Sequence, residues 1–177
     1  MRTLARLLLV TAACCPLLCV AQASAATQPD ATQPPANQHA ILTVQGRGAQ
    51  IYGCQPVGNT LQWVFQAPVA RLFDPSGNEV GTHGDGPVWN YQDSSSIQGT
   101  LLAKKPSPDA DSIPWLLLKA VNPQRTGILT TVEFIARSDT KGGIAPTTGC
   151  DAAHQGQLSY IPYTATYTFY SSSPAKN

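Results

Sequence analysis

The sequence predicts an all-β fold: a single antiparallel β-sandwich or barrel-like domain of about nine or ten strands. Apolar side chains recur at every second residue, most regularly where Tyr163, Ala165, Tyr167 and Phe169 alternate with threonines. No segment of ten or more residues shows an apolar helical stripe bounded by helix caps. Prolines interrupt the apolar runs at places expected for strand starts and sheet edges.

The elements follow from this alternation and from the turns between them. A Gly46-Arg47-Gly48 segment separates the first two candidate strands, and Asp74-Pro75-Ser76-Gly77 has the residues of a type I turn that closes a hairpin. The run 113–121 is apolar throughout, which suggests a strand buried on both faces but leaves a short helix open. The candidate strands are 40–44, 49–54, 61–66, 69–73, 78–82, 96–103, 113–121, 128–136 and 163–170.

The first 25 residues have the features of a secretory signal peptide. Arg2 and Arg6 are followed by a largely apolar run, and Ala23-Ser24-Ala25 matches a signal peptidase site. The apolar run is too short to span a bilayer, so we expect a secreted or periplasmic protein with no stable membrane anchor. The predicted organisation is a signal peptide at 1–25, a flexible leader at 26–39, a β domain at 40–171 and a disordered tail at 172–177.

Composition limits the classes of partner. Charged residues make up 12% of the chain, about half of the usual share. Of 11 basic and 10 acidic residues, Arg2 and Arg6 leave with the signal peptide, so the remaining domain is nearly neutral. A nucleic-acid partner is therefore not expected. We predict a monomer without a cofactor whose partner is a small molecule or a polysaccharide.

Two cysteines remain after the signal peptide, Cys54 and Cys150. A lone pair in an oxidising compartment predicts a disulfide. A redox or metal-binding role is the alternative, although no CxxC spacing is present.

The candidate site is the loop that follows Thr82, where side chains able to bind or react are concentrated. It carries His83, Asp85, Trp89, Tyr91 and Asp93. Glycines and a proline between them restrict the backbone, so side chains can be held there without a helix. We expect His83, Asp85 and Trp89 to line one solvent-accessible cleft, with Tyr91 or Trp115 as its apolar wall. The nearby carboxylates predict that His83 titrates close to neutral pH.

Four interpretations of this cluster remain open. In the first, which we adopt, His83, Asp85, Trp89, Tyr91 and Trp115 bind a sugar-like or peptide-like ligand. In the second, His83 with Asp85 or Asp93 catalyses a hydrolase or lyase reaction on extracellular material. The third is a metal site that combines His83 and Asp85 with two further candidates, His154 or Asp151. In the fourth, the loop is structural and both tryptophans fill the core.

One more charged residue stands on a predicted strand. Arg137 lies close to Asp139, and the pair predicts a structural ion pair rather than an anion-binding group.

Ordered motifs cover the chain from Gly48 to Tyr170. They are Gly48-x-Gln50-x-Tyr52-x-Cys54, Trp63, Ala70-x-Leu72-Phe73-Asp74-x-x-Gly77, His83-x-x-Gly86-Pro87-x-Trp89, Ile113-Pro114-Trp115-Leu116-Leu117, Thr140-x-Gly142-Gly143-x-Ala145-Pro146-x-x-Gly149-Cys150-Asp151 and Tyr163-x-Ala165-x-Tyr167-x-Phe169-Tyr170. In this order they resemble the domain-of-unknown-function 3455 family, which consists of exported bacterial and fungal proteins. The resemblance implies a single exported β domain and no particular activity.

The chain departs from the family pattern after Asp93. Family members commonly have Asp-Gly-Ser where this chain has Asp93-Ser94-Ser95. If that glycine serves a special backbone angle, the turn is expected to differ here.

Overall fold

The computed structural model describes residues 30–173 and shows eight antiparallel strands that close into one barrel. Each strand pairs with the next in the chain, and the last pairs with the first. The all-β prediction is confirmed, in its barrel form. The strands are β1 (His39–Val57), β2 (Thr60–Phe73), β3 (Glu79–Gly84), β4 (Val88–Tyr91), β5 (Ser96–Lys105), β6 (Trp115–Gln124), β7 (Phe134–Gly142) and β8 (Leu158–Ser171).

The strand number differs from the predicted nine or ten because two predicted breaks are continuous strand. Gly48 lies inside β1, where a Cβ atom would come within 2.0 Å of the carbonyl oxygen of Val69. This glycine therefore permits close approach of two strands and does not make a turn. Pro68 lies inside β2, at a level that β3 does not reach, because the β2–β3 pairing starts at Ala70. The four-residue strand β4 was not predicted.

The segment after β6 also differs from the prediction. Residues 128–131, expected to belong to a long strand, form a 3₁₀ helix (Ile128–Thr131), and β7 begins only at Phe134. The Asp93 carboxylate accepts a hydrogen bond from the Ile128 N–H at 2.7 Å, which satisfies a backbone donor at the helix start. Leu129 is 1% exposed and joins the core, so the helix covers this end of the barrel, here called the closed end.

The opposite, open end carries the loops 85–87, 106–114 and 143–157. The last of these is attached to β1 through Cys54 and Cys150, whose sulfur atoms lie at disulfide-bonding distance with Cα atoms 5.3 Å apart. The predicted cysteine pairing is thereby confirmed. Backbone hydrogen bonds from Cys54 N–H to Gln157 and from Gly156 N–H to Cys54 support the same contact.

Part of the predicted leader contacts the barrel. Asp30 pairs with Lys105 at the end of β5, and Thr32 is 3% exposed. His39, placed at the end of the leader by the sequence, is the first residue of β1 and is exposed. The predicted signal peptide and most of the predicted tail lie outside the described residues.

The turn at Asp93-Ser94-Ser95 is formed in spite of the missing glycine. Ser94 has φ +71°, in the left-handed region that costs a non-glycine residue about 1–2 kcal/mol. The Ser94 N–H donates to the Tyr91 carbonyl at 3.0 Å, and the Asp93 carboxylate accepts from the Ser95 N–H at 2.9 Å. The surrounding hydrogen bonds therefore hold serine in a conformation that favours glycine.

We expect Ser94→Gly to raise the free energy of unfolding by about 1 kcal/mol, because it removes this strain at an exposed position. The melting temperature should rise by about 2–4 °C for a domain of this size. Differential scanning calorimetry measures the change. Ser94→Ala is the control and should give no gain; a Ser94→Gly variant that melts at or below the wild-type temperature would contradict the argument.

Candidate functional site

The barrel wall is incomplete at the open end because β3 and β4 are short. The β2–β3 pairing reaches only Ala70, and the β4–β5 pairing reaches only Gln98. Residues 60–69 of β2 and 100–105 of β5 therefore face each other with no described strand between them. The β3–β4 turn, residues 85–87, forms the floor of this gap, which we call the notch.

A cavity of about 240 Å³ lies inside the barrel beneath the notch. Apolar side chains form most of its wall, and Phe65, which is 50% exposed, lies at its rim. The lining residues are Gln50, Phe65, Gln66, Pro68, His83, Asp85, Gly86, Pro87, Trp89, Leu116, Leu118, Arg137 and Tyr167.

His83 and Trp89 occupy the centre of the cavity wall. They face each other across β3 and β4, and their rings stack with centroids 4.3 Å apart. The Tyr167 ring meets the imidazole edge-on at 5.0 Å. Both residues are buried, at 4% and 1% exposure, so the pair is a rigid part of the barrel interior.

Burial sets the protonation state of His83. It lowers the pKa of the imidazole to about 4, and the nearby Arg137 charge acts in the same direction, against a raising effect of the Val88 carbonyl. The expectation of titration near neutral pH is therefore wrong. His83 Nδ1–H donates to the Val88 carbonyl at 3.0 Å, so the neutral ring has its lone pair on Nε2, a hydrogen-bond acceptor.

Residues of the cavity wall also carry hydrogen-bond donors that residues 30–173 do not use. Gln50 Nε2 and Trp89 Nε1 are buried and have no hydrogen-bond partner there. Arg137 donates from Nε and Nη2 to the Pro114 carbonyl, at 3.2 and 2.9 Å. The described chain places no carboxylate within ion-pair distance of Arg137, so the predicted Arg137–Asp139 ion pair is not formed. Since buried polar groups are normally paired, these donors can serve a bound molecule.

The structure brings three of the five predicted binding residues to this cavity. His83, Asp85 and Trp89 line it, and Asp85 is exposed at the rim. Tyr91 packs against the core instead. Trp115 lies on β6 with the Lys105 ammonium 4.6 Å from its ring centre, so neither of these aromatic residues forms the cavity wall.

Asp93, a candidate catalytic carboxylate, lies at the closed end and away from His83. Its oxygens accept hydrogen bonds from Ser95 and from the Ile128 N–H. Although burial raises the pKa of Asp93, these hydrogen bonds outweigh it and hold the pKa below its usual value. The role that this geometry supports is attachment of the 3₁₀ helix to the β4–β5 turn.

The residues considered for a metal site are also separated. His154 Nδ1 and an Asp151 carboxylate oxygen lie 2.7 Å apart in the 143–157 loop, where they pair with each other. Within the described residues, no three His, Cys, Asp or Glu side chains are grouped so that they could hold a metal ion.

Gln50 and Arg137 are the site residues that the sequence did not predict. Each is a polar residue at an inward-facing position beside buried apolar ones: Gln50 precedes Tyr52 by two residues, and Arg137 follows Ile135 by two. The sequence signal that could have identified both residues is a polar side chain on the otherwise apolar face of a strand.

A sequence model of one protein family, described as "Protein of unknown function (DUF3455)", matches residues 34–171. The chain belongs to this family. The matched segment contains every strand, the notch and all residues of the cavity, and it confirms the resemblance seen in the motifs. Searches of curated proteins and of solved structures gave no significant match. No membrane-spanning helix is found within residues 30–173.

Proposed function

We propose that this protein binds a small organic molecule in the barrel cavity, after export to the periplasm or the cell exterior. The observation that carries the proposal is the Gln50 side chain, which is 3% exposed and lies near the Tyr163 phenol, but whose Nε2 group makes no hydrogen bond within the described chain. A buried donor left unpaired costs about 1–3 kcal/mol. A bound molecule that accepts its hydrogen bond would offset this cost.

The shape of the barrel supports the same proposal. An eight-stranded barrel has an interior wide enough to hold one small ligand, and the notch between β2 and β5 gives access to it from the side. The cavity volume of about 240 Å³ is at the small end of ligand pockets, which usually measure about 300–1,000 Å³. Small molecules therefore fit it better than a polysaccharide or peptide chain, of which only an end could enter.

The hydrolase or lyase alternative finds less support in the geometry. His83 binds the Val88 carbonyl through Nδ1 and not a carboxylate, and Asp93 lies at the closed end. Asp85 is the remaining candidate partner, and its side chain makes no hydrogen bond within the described chain. The donors around the cavity suit retention of a ligand better than proton transfer.

The test removes the unpaired amide without changing the side-chain length. We expect Gln50→Met to raise the free energy of unfolding of the unliganded protein by about 1 kcal/mol, since a buried unpaired donor is lost. The same variant should weaken ligand binding at least tenfold. Urea unfolding measures the first effect. For the second, thermal shift over a panel of monosaccharides, amino acids and small organic acids selects a ligand, and calorimetry gives its affinity.

Gln45→Met is the matched control, because Gln45 lies on the same strand but is exposed and bonds to Thr166 Oγ1 at 3.0 Å. It should leave binding unchanged. Two results would overturn the proposal: no compound of the panel stabilises the wild type, or Gln50→Met is strongly destabilised, which would show that the amide is used within the fold.

A further inference from the structure

We infer that the ligand of this cavity is a monocarboxylate whose anionic group binds Arg137 and whose apolar body lies against Trp89. The inference rests on the proposed binding function and goes further by naming the chemical class. Among residues 30–173, Arg137 is the charged group in the inner part of the cavity wall, since Asp85 lies at the exposed rim.

Arg137 is partly buried and projects from β7 at the same face as the fully buried Ile135. Its two hydrogen bonds to Pro114 leave other guanidinium N–H groups for further acceptors, and the Tyr167 phenol lies within their reach. A cation in a partly desolvated wall without a carboxylate partner favours an anion beside it. The planar guanidinium matches the two oxygens of a carboxylate.

The neighbouring polar groups point to the same chemistry. Gln50 Nε2 and Trp89 Nε1 add two buried donors that have no partner within residues 30–173, and His83 Nε2 is a neutral acceptor in the same wall. Unpaired donors beside a cation suit a molecule that carries acceptor oxygens. One cation and a small volume favour a single negative charge over a phosphate or a dianion.

The remaining surface defines the rest of the ligand. Trp89, Leu116, Leu118 and Tyr167 offer an apolar wall for a ring or a short alkyl chain. Asp85 at the rim would repel a second anionic group at the other end of the molecule. We therefore expect monocarboxylates to bind more tightly than dicarboxylates.

The experiment uses matched probe pairs that differ in charge but hardly in shape: benzoate with benzamide, and hexanoate with hexanamide. Isothermal titration calorimetry at pH 7 measures their affinity for the purified protein. We expect each carboxylate to bind the wild type at least tenfold more tightly than its amide. Arg137→Gln should abolish this difference, and Arg137→Lys, which keeps the charge but not the planar fork, should retain part of it.

One further variant tests the rim and another serves as a control. Asp85→Asn should bind the carboxylates a few-fold more tightly, because it removes a negative charge from the rim. Arg71→Gln removes an exposed arginine of β2, which pairs with Glu79 of β3 at 2.8 Å. This variant should leave the affinity for the carboxylates unchanged. Circular dichroism and thermal melting establish that each variant is folded.

The outcomes separate this inference from the proposed function. If amides bind as tightly as carboxylates, or if Arg137→Gln keeps the preference, the carboxylate assignment is overturned while ligand binding stands. If monosaccharides or amines bind but neither benzoate nor hexanoate does, the carboxylate assignment is likewise overturned while ligand binding stands. If no compound of any class binds, both the inference and the proposed function fail.

Discussion

Removal of the Cys54–Cys150 cross-link is expected to lower the free energy of unfolding by about 4 kcal/mol. The two cysteines are 96 residues apart, and the chain-entropy model gives about 4–5 kcal/mol for a loop of this length, less any strain. Most of the loss arises in the unfolded state, which gains freedom when the loop is opened. Urea unfolding of the Cys54→Ala/Cys150→Ala variant measures it.

The native structure should change little in this variant, because other contacts hold the same region. Two backbone hydrogen bonds join Cys54 to residues 156 and 157, and the Trp63 indole donates to the Thr148 carbonyl at 2.9 Å. We expect the 143–157 loop to exchange its amide hydrogens faster while the barrel strands keep their protection.

Comparison of single and double variants separates cross-linking from side-chain packing. Either single alanine variant, kept reduced, should lose nearly as much stability as the double variant, since one substitution already opens the loop. Reductant should bring the wild type to the same level and leave the double variant unchanged. Additive losses from the two single variants, or two free thiols in the untreated protein by mass spectrometry, would contradict the prediction.

Sequence patterns among neighbouring residues predicted individual strands and turns of the fold. The alternation in β8 placed Tyr163, Tyr167 and Phe169 inward, and all are at most 3% exposed. The Asp74-Pro75-Ser76-Gly77 turn forms with Gly77 N–H bonded to the Asp74 carbonyl. The predicted strand break at Gly48 is wrong because the sequence does not distinguish a glycine that makes a turn from a glycine that permits close approach of a neighbouring strand.

The same distinction holds for the site. His83, Asp85 and Trp89 lie within seven residues, so their proximity follows from one hairpin. Gln50 and Arg137 reach the cavity through the registers of β1 and β7, which only closure of the barrel determines. Tyr91 follows Trp89 by two residues and packs against the core, yet it does not line the cavity, because strand periodicity predicts a face but not a depth along the barrel.

His83 is expected to make stability depend on pH, with a loss of about 3 kcal/mol between pH 7 and pH 4. Its pKa is about 4 in the folded protein and about 6.5 in an unfolded chain. The unfolded state therefore takes up the proton first as the pH falls, and each pKa unit of difference corresponds to about 1.4 kcal/mol. This contribution is fully present above about pH 6.5, is mostly lost by pH 4, and levels off about one pH unit below the folded-state pKa.

The surroundings of the imidazole explain why no counter-charge restores the proton. Trp89 covers one face of the ring, Tyr167 meets it edge-on, and the nearby charge is the Arg137 cation. Burial raises the pKa of the Tyr167 phenol well above its usual value, so it stays neutral throughout this range. Carboxylates elsewhere in the protein also titrate at low pH, and the test must therefore compare variants rather than absolute stabilities.

His83→Gln supplies the comparison, with His39→Gln as a control at an exposed histidine. His83→Gln loses the stack on Trp89 and should be less stable than the wild type at pH 7. Its disadvantage should shrink by about 3 kcal/mol by pH 4, because the variant has no imidazole to protonate. His39→Gln should keep the wild-type slope. Parallel stability curves for wild type and His83→Gln, or an NMR titration of His83 with a midpoint near 6.5, would show that the ring is hydrated in the folded protein and not buried as described above.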